Sequence, residues 1–122
     1  MKNKYFIIAI SLCGLVACYR DNEQDLYPST GSCDTTNVNY HSTVAALLTS
    51  NGCTGCHSGS APSGNISLQS YAGVKAVAIS GKLYGAINHS AGFSPMPKGG
   101  NKMNSCSISK IKAWIDAGSI NN

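Results

Sequence analysis

Residues 53–57 read Cys53-Thr54-Gly55-Cys56-His57, and this run decides how the rest of the chain is read. Two thiols stand three residues apart, with an imidazole directly after the second. Three chemistries use such a pair. A thioredoxin-like redox couple needs a strand before it and a helix after it within an α/β pattern. Here the preceding segment has helical spacing, and Ser58-Gly59-Ser60-Ala61-Pro62-Ser63-Gly64 follows as a loop. A structural zinc site needs a second Cys/His pair at ligand spacing, and the sequence has none.

The third chemistry is covalent attachment of a c-type haem, for which Cys-x-x-Cys-His is the attachment sequence. Thiols at this spacing reach the two vinyl groups on one side of a porphyrin, and the adjacent His57 projects onto the iron from one face. A six-coordinate iron needs a second axial ligand, and His89, Met96 and Met103 are the downstream candidates. Met96 sits in Phe93-Ser94-Pro95-Met96-Pro97-Lys98-Gly99-Gly100, a helix-free stretch stiffened by two prolines and released by two glycines. A thioether presented by such a loop suits iron, and a Met/His pair raises the reduction potential. Met96 is therefore the expected distal ligand, although a methionine is more often core filler. His89 would instead give a bis-His haem of lower potential. Met103, near the start of the last helix, ranks third.

Working outward, a first helix is expected over Tyr40–Ser50, with Ser42 or Thr43 as cap, Val44, Leu47 and Leu48 as its apolar stripe, and Gly52 as its stop. A middle helix begins after Ser70 and carries Tyr71, Val74 and Ala78 on one face. A short turn over Lys82–Asn88 puts Leu83 one turn from Ile87. The last helix starts near Asn104 or Ser107, presents Ile108, Ile111, Trp114 and Ile115, and ends before Gly118. No segment alternates as a strand and no repeat is evident. The fold class expected is all-α, with three to five short helices around one haem. Leu68, Tyr71, Leu83 and Ile87 are the expected walls of its slot.

The six cysteines divide without remainder. Residues 1–17 read as an export signal: Lys2 and Lys4, then an apolar run of about a dozen residues, too short for a comfortable bilayer span of about 20. Its end, Leu15-Val16-Ala17-Cys18, resembles the lipobox of bacterial lipoproteins, which makes Cys18 a lipidation site and places the chain on a membrane surface without spanning it. Cys13 leaves with the signal. Residues 18–32 are polar and aperiodic, a flexible tether. Cys33 and Cys106 remain, one at each end of the domain spanning 33–122, in a compartment where disulfides persist. Their pairing closes a loop of about 74 residues, for which the chain-entropy estimate is roughly 4 kcal/mol.

The order of helix, Cys53-x-x-Cys56-His57, glycine-rich loop, short helices, Pro95-Met96-Pro97 and a closing helix through Lys112-Ala113-Trp114-Ile115-Asp116-Ala117-Gly118 resembles a class I cytochrome c over about residues 33–122. The attachment motif is highly specific and the methionine loop moderately so. The resemblance implies thioether attachment at Cys53 and Cys56, His57 as proximal ligand and Met96 as distal ligand. It also implies that the first and last helices cross beside the haem edge, a crossing that Cys33–Cys106 would pin. Two departures stand out. The interval from His57 to Met96 is short for the family, so the loop over the propionates must be reduced. The carbonyl that orients the proximal histidine has no obvious source, and one within Ser58–Gly64 is expected.

Composition limits the function. A chain of 122 residues with 43% apolar, 11% charged and 13 glycines supports one small core that benefits from a bound macrocycle and a disulfide. The charge of +4 lacks the arginine-rich, aromatic-interleaved patches of a nucleic-acid binder. In residues 33–122 six lysines face two aspartates, and Lys98 and Lys102 flank the methionine loop. Such a rim would steer the protein toward acidic redox partners. The expected function is electron carriage, not catalysis, in the bacterial cell envelope. The alternative is a haem enzyme or sensor, peroxidase-like or gas-binding, with an open sixth site and a distal base such as His89.

Overall fold

Asn39 opens the first helix. Its backbone is extended (φ −93°, ψ 140°) and its side-chain oxygen accepts from the Ser42 N–H at 3.0 Å, satisfying one of the donors that a helix start leaves free. The cap is thus Asn39 and not Ser42 or Thr43, whose own backbones already lie inside the first turn. That turn, Tyr40–Val44, is a π-helix and runs directly into α1 (Ala45–Ser50). Gly52 then takes φ +72°, a left-handed conformation that ends the helix without the penalty a Cβ would bring.

The computed structural model describes residues 33–122, which form one unit. The expected signal at 1–17, the tether at 18–32 and the lipidation site Cys18 lie outside the described residues. After α1 come α2 (Cys53–Cys56), a 3₁₀ turn (Ser63–Asn65), α3 (Tyr71–Ile79), α4 (Lys82–Ile87) and α5 (Ser105–Asp116). The described residues contain no strand, so this region is all-α. None of its helices is long and apolar enough to cross a membrane.

Ser70 caps α3 by accepting from Gly73 N–H at 3.3 Å, and Asn104 caps α5 by accepting from Ser107 N–H at 2.8 Å. The core is the set of apolar stripes these helices turn inward: Val44 and Leu48, Val74, Val77 and Ala78, Leu83 and Ile87, then Ile108, Ile111 and Trp114. Trp114 is fully buried and stacks obliquely on Tyr40, ring centroids 5.5 Å apart, so the last helix meets the first there. The segment after α5 locks this meeting. Ile120 O accepts from the Trp114 indole at 2.8 Å, Ser119 O from the Tyr71 hydroxyl at 2.7 Å, and Asn122 Oδ1 from the Tyr40 N–H at 2.8 Å. Cys33 and Cys106 are bonded, with Cα atoms 5.5 Å apart, which lies within the span that a disulfide can bridge.

Candidate cofactor site

The sequence Asn51-Gly52 turns the chain out of α1 and at once into α2, whose single turn carries both thiols. Gly55 N–H bonds Gly52 O at 3.1 Å and His57 N–H bonds Cys53 O at 3.0 Å, so the two cysteines and the histidine share one rigid turn. His57 O in turn accepts from Leu68 N–H at 2.8 Å, which closes residues 57–68 into a loop beneath the turn. The Gln69 side chain braces that loop by accepting from Gly59 N–H at 3.1 Å.

The His57 ring is held from behind. Its Nδ1 lies 3.1 Å from Ser63 O and 3.2 Å from Ile66 O. Carbonyls only accept, so Nδ1 carries the proton and shares it between them. In the neutral ring this leaves the lone pair on Nε2, the tautomer a metal ligand requires. The expected carbonyl within Ser58–Gly64 is that of Ser63; the second, from Ile66, falls just beyond that range.

In front of this turn opens a cavity of about 870 Å³, inside the size range of small-molecule and cofactor pockets. Cys53, Cys56, His57 and Met96 all line it. The cysteines are free thiols and do not pair with each other. Cys53 is half-buried, and burial pushes its thiol above the ordinary value of 9.0, opposed more weakly by a backbone hydrogen bond. Cys56 is exposed. Of the four expected walls, Leu68, Leu83 and Ile87 line the cavity. Tyr71 does not. Its ring packs edge-on against Tyr40, centroids 5.1 Å apart, and its hydroxyl bonds Ser119 O, because a half-buried phenol needs an acceptor that an apolar slot cannot offer.

Sequence reading missed part of the lining. Leu48 and Val77 complete the wall from α1 and α3, Ile66 comes from the loop under His57, and Phe93 and Pro97 come from the methionine loop. Phe93 carried a signal, as a lone aromatic in the stretch already singled out for Met96. Its ring lies against Gly85: a Cβ there would stand 2.5 Å from ring carbons, so α4 needs glycine at that point. Ile66 carried none.

The three candidate distal ligands separate clearly. Met96 is partly buried and lines the cavity. His89 is exposed and absent from the lining; its Nε2 is 3.0 Å from the backbone oxygen of Met96. Met103 is buried in the core. Among the described residues no three His, Cys, Asp or Glu side chains gather at one point, and a closed zinc site would need four such donors. One oriented imidazole, one thioether and two free thiols around a mostly apolar cavity fit a c-type haem instead. Lys82 and Lys98 stand on its exposed rim.

Compared with protein-family models, with curated proteins and with solved structures, the chain matches none. The likeness to class I cytochromes c rests on the motif and on the order of the elements.

Proposed function

We propose that residues 33–122 are a monohaem, cytochrome c-like domain that carries single electrons in the bacterial cell envelope, tethered to a membrane by lipid on Cys18. The observation that carries this reading is the His57 imidazole, fixed by two carbonyls behind it and opening on a cavity shared with Cys53, Cys56 and Met96. Cys53 and Cys56 would hold the haem through thioethers, with His57 and Met96 as its axial ligands. When bound, the haem supplies an iron that cycles between two oxidation states.

The protein's own part is to keep that change cheap. Leu48, Leu68, Leu83 and Ile87 give the cavity an apolar wall that offers water no hydrogen bond. The carbonyl pair prevents His57 from turning. Lys82 and Lys98 at the rim, with Lys102 nearby in sequence, favour an acidic partner over a basic one. An enzyme or sensor with an open sixth site would want a free distal base. His89 is engaged with Met96 O, which favours the carrier.

The test is to express the chain with a haem-attachment apparatus and stain a denaturing gel for haem, then record a redox-titrated visible spectrum. Covalent haem and the long-wavelength band of methionine-ligated ferric iron are expected. Loss of covalent haem is expected when Cys53 and Cys56 are both replaced by Ala. A haem band persisting in that double variant refutes the attachment site. Covalent haem without the methionine band refutes the ligand pair.

A further inference from the structure

Met96 is tied on both sides of its Cα to one short stretch of chain, Ala86 to His89. Its N–H donates to Ala86 O at 3.0 Å, and its carbonyl accepts from His89 Nε2 at 3.0 Å. The donors and acceptors for both bonds come from the end of α4 and the turn that follows. The Phe93 ring, lying on Gly85, makes a third attachment of the same loop to the same helix. The backbone at residue 89 is also unusual. His89 takes φ +55°, a left-handed conformation in which glycine is the unstrained residue. The chain accepts that strain and uses the side chain to reach Met96. The ring does so from outside the cavity, because His89 is exposed and does not line it.

We infer that His89 is a positioning residue: its imidazole clamps the Met96 carbonyl so that the Met96 thioether is presented to the cavity and kept there. This rests on the proposed ligation by Met96 and adds to it the residue that holds the ligand in place. Bonds from α4 and the turn after it to the two sides of the Met96 Cα leave the side chain as the part of the residue free to point inward. With the carbonyl bond removed, the N–H bond is the one backbone hydrogen bond left at Met96 itself. The loop would then swing more often, and a competing ligand would gain access to the iron.

The experiment uses the haem-loaded protein and three variants, His89→Ala, His89→Gly and His89→Gln. Glutamine can return an amide donor near the position of Nε2, whereas glycine relieves the backbone strain and returns no bond. Readouts are the methionine–iron band of the ferric protein, the midpoint potential, and the affinity for added imidazole, which must displace Met96. Wild type is expected to show the band. His89→Ala and His89→Gly are expected to weaken it, lower the potential and bind imidazole roughly fivefold more tightly, the equivalent of one ordinary hydrogen bond. His89→Gln is expected to recover most of the difference. Circular dichroism separates this from unfolding, since an exposed side chain should leave helix content unchanged. A methionine-ligated wild type, with Ala and Gly variants matching it in all three readouts, overturns the clamp. Glycine restoring the wild-type values also overturns it, because strain and not the bond would then be at work. A wild type with covalent haem but no methionine band overturns the ligand reading, and the clamp with it.

Discussion

The side of the domain where the first and last helices meet and the side that opens on the cavity are held by different means. At the meeting, Val44, Ile111 and Trp114 have no exposed surface, and the polar groups among them are bonded to the segment Ser119–Asn122. Around the cavity, one or two backbone carbonyls hold each group: Ser63 and Ile66 hold His57, Ala86 holds Met96, and His57 O holds Leu68. Packing resists deformation in every direction, whereas a hydrogen bond fixes one atom along one line. The first arrangement suits a scaffold. The second suits a site whose groups must each face one point while leaving room between them.

If this contrast is right, the largest loss of stability comes from the packed side. Trp114→Ala removes the most buried large side chain and leaves Ile120 O without its donor. A loss of about 5 kcal/mol is expected, a large part of the total for a domain this size, measured as a drop in the urea midpoint. A loss below about 2 kcal/mol would mean that the helix meeting is not the scaffold. Opening the bridge by Cys33→Ser with Cys106→Ser should follow at roughly 4 kcal/mol, with the unfolding slope compared to detect a looser unfolded chain.

On the cavity side the penalties are smaller and appear in the site. Gly85→Ala forces the Phe93 ring away from α4 and should cost about 1–3 kcal/mol. The altered wall should show as a shifted haem spectrum at unchanged helix content. An unshifted spectrum would mean that Phe93 is not coupled to the site.

The smallest effect is a pH dependence, and it assigns one titrating group to each side. Burial raises the Cys53 thiol above 9.0 on the cavity side and the Tyr40 phenol above 10.0 at the helix meeting, the latter with a smaller push from Tyr71. In each case the unfolded chain gives up its proton first as pH rises. The folded state then holds more protons, and stability falls from the unfolded value through the folded one. Haem-free protein should therefore lose stability in two steps, beginning near pH 9 and near pH 10. The first step should vanish in Cys53→Ala and, if Cys53 carries a thioether, in the haem-loaded protein. A first step that survives in Cys53→Ala would contradict the assignment.

The longer helices were legible because each turns one apolar stripe inward, as Ile108, Ile111 and Trp114 do on α5, whereas the single turn of α2 buries no side chain and leaves no such pattern. The start of α3 after Ser70 was legible, and that of α5 was narrowed to Asn104 or Ser107, of which Asn104 is the cap. The first cap was misread because two hydroxyl residues, Ser42 and Thr43, stood nearer the stripe than Asn39. Tyr71 was misassigned for a different reason. Its place on the helix face was visible, but the acceptor for its hydroxyl is 48 residues away, in a segment with no periodicity. Near the site, the cysteines, His57 and Met96 could be found from side-chain chemistry. The bonds that orient them use backbone carbonyls, which every residue has and no sequence pattern marks.

The bond between Cys33 and Cys106 has a topological consequence. Every residue lining the cavity, from Leu48 to Lys98, falls between those two cysteines, so the whole site lies on one covalent ring. A protease that cuts the exposed loop at Gly59-Ser60, or the one at Gly99-Gly100, opens the ring without dividing the molecule. The nicked protein should migrate as one band until it is reduced, with its two pieces still joined through Cys33–Cys106. A broken loop therefore has a route back into register that two separate fragments would lack.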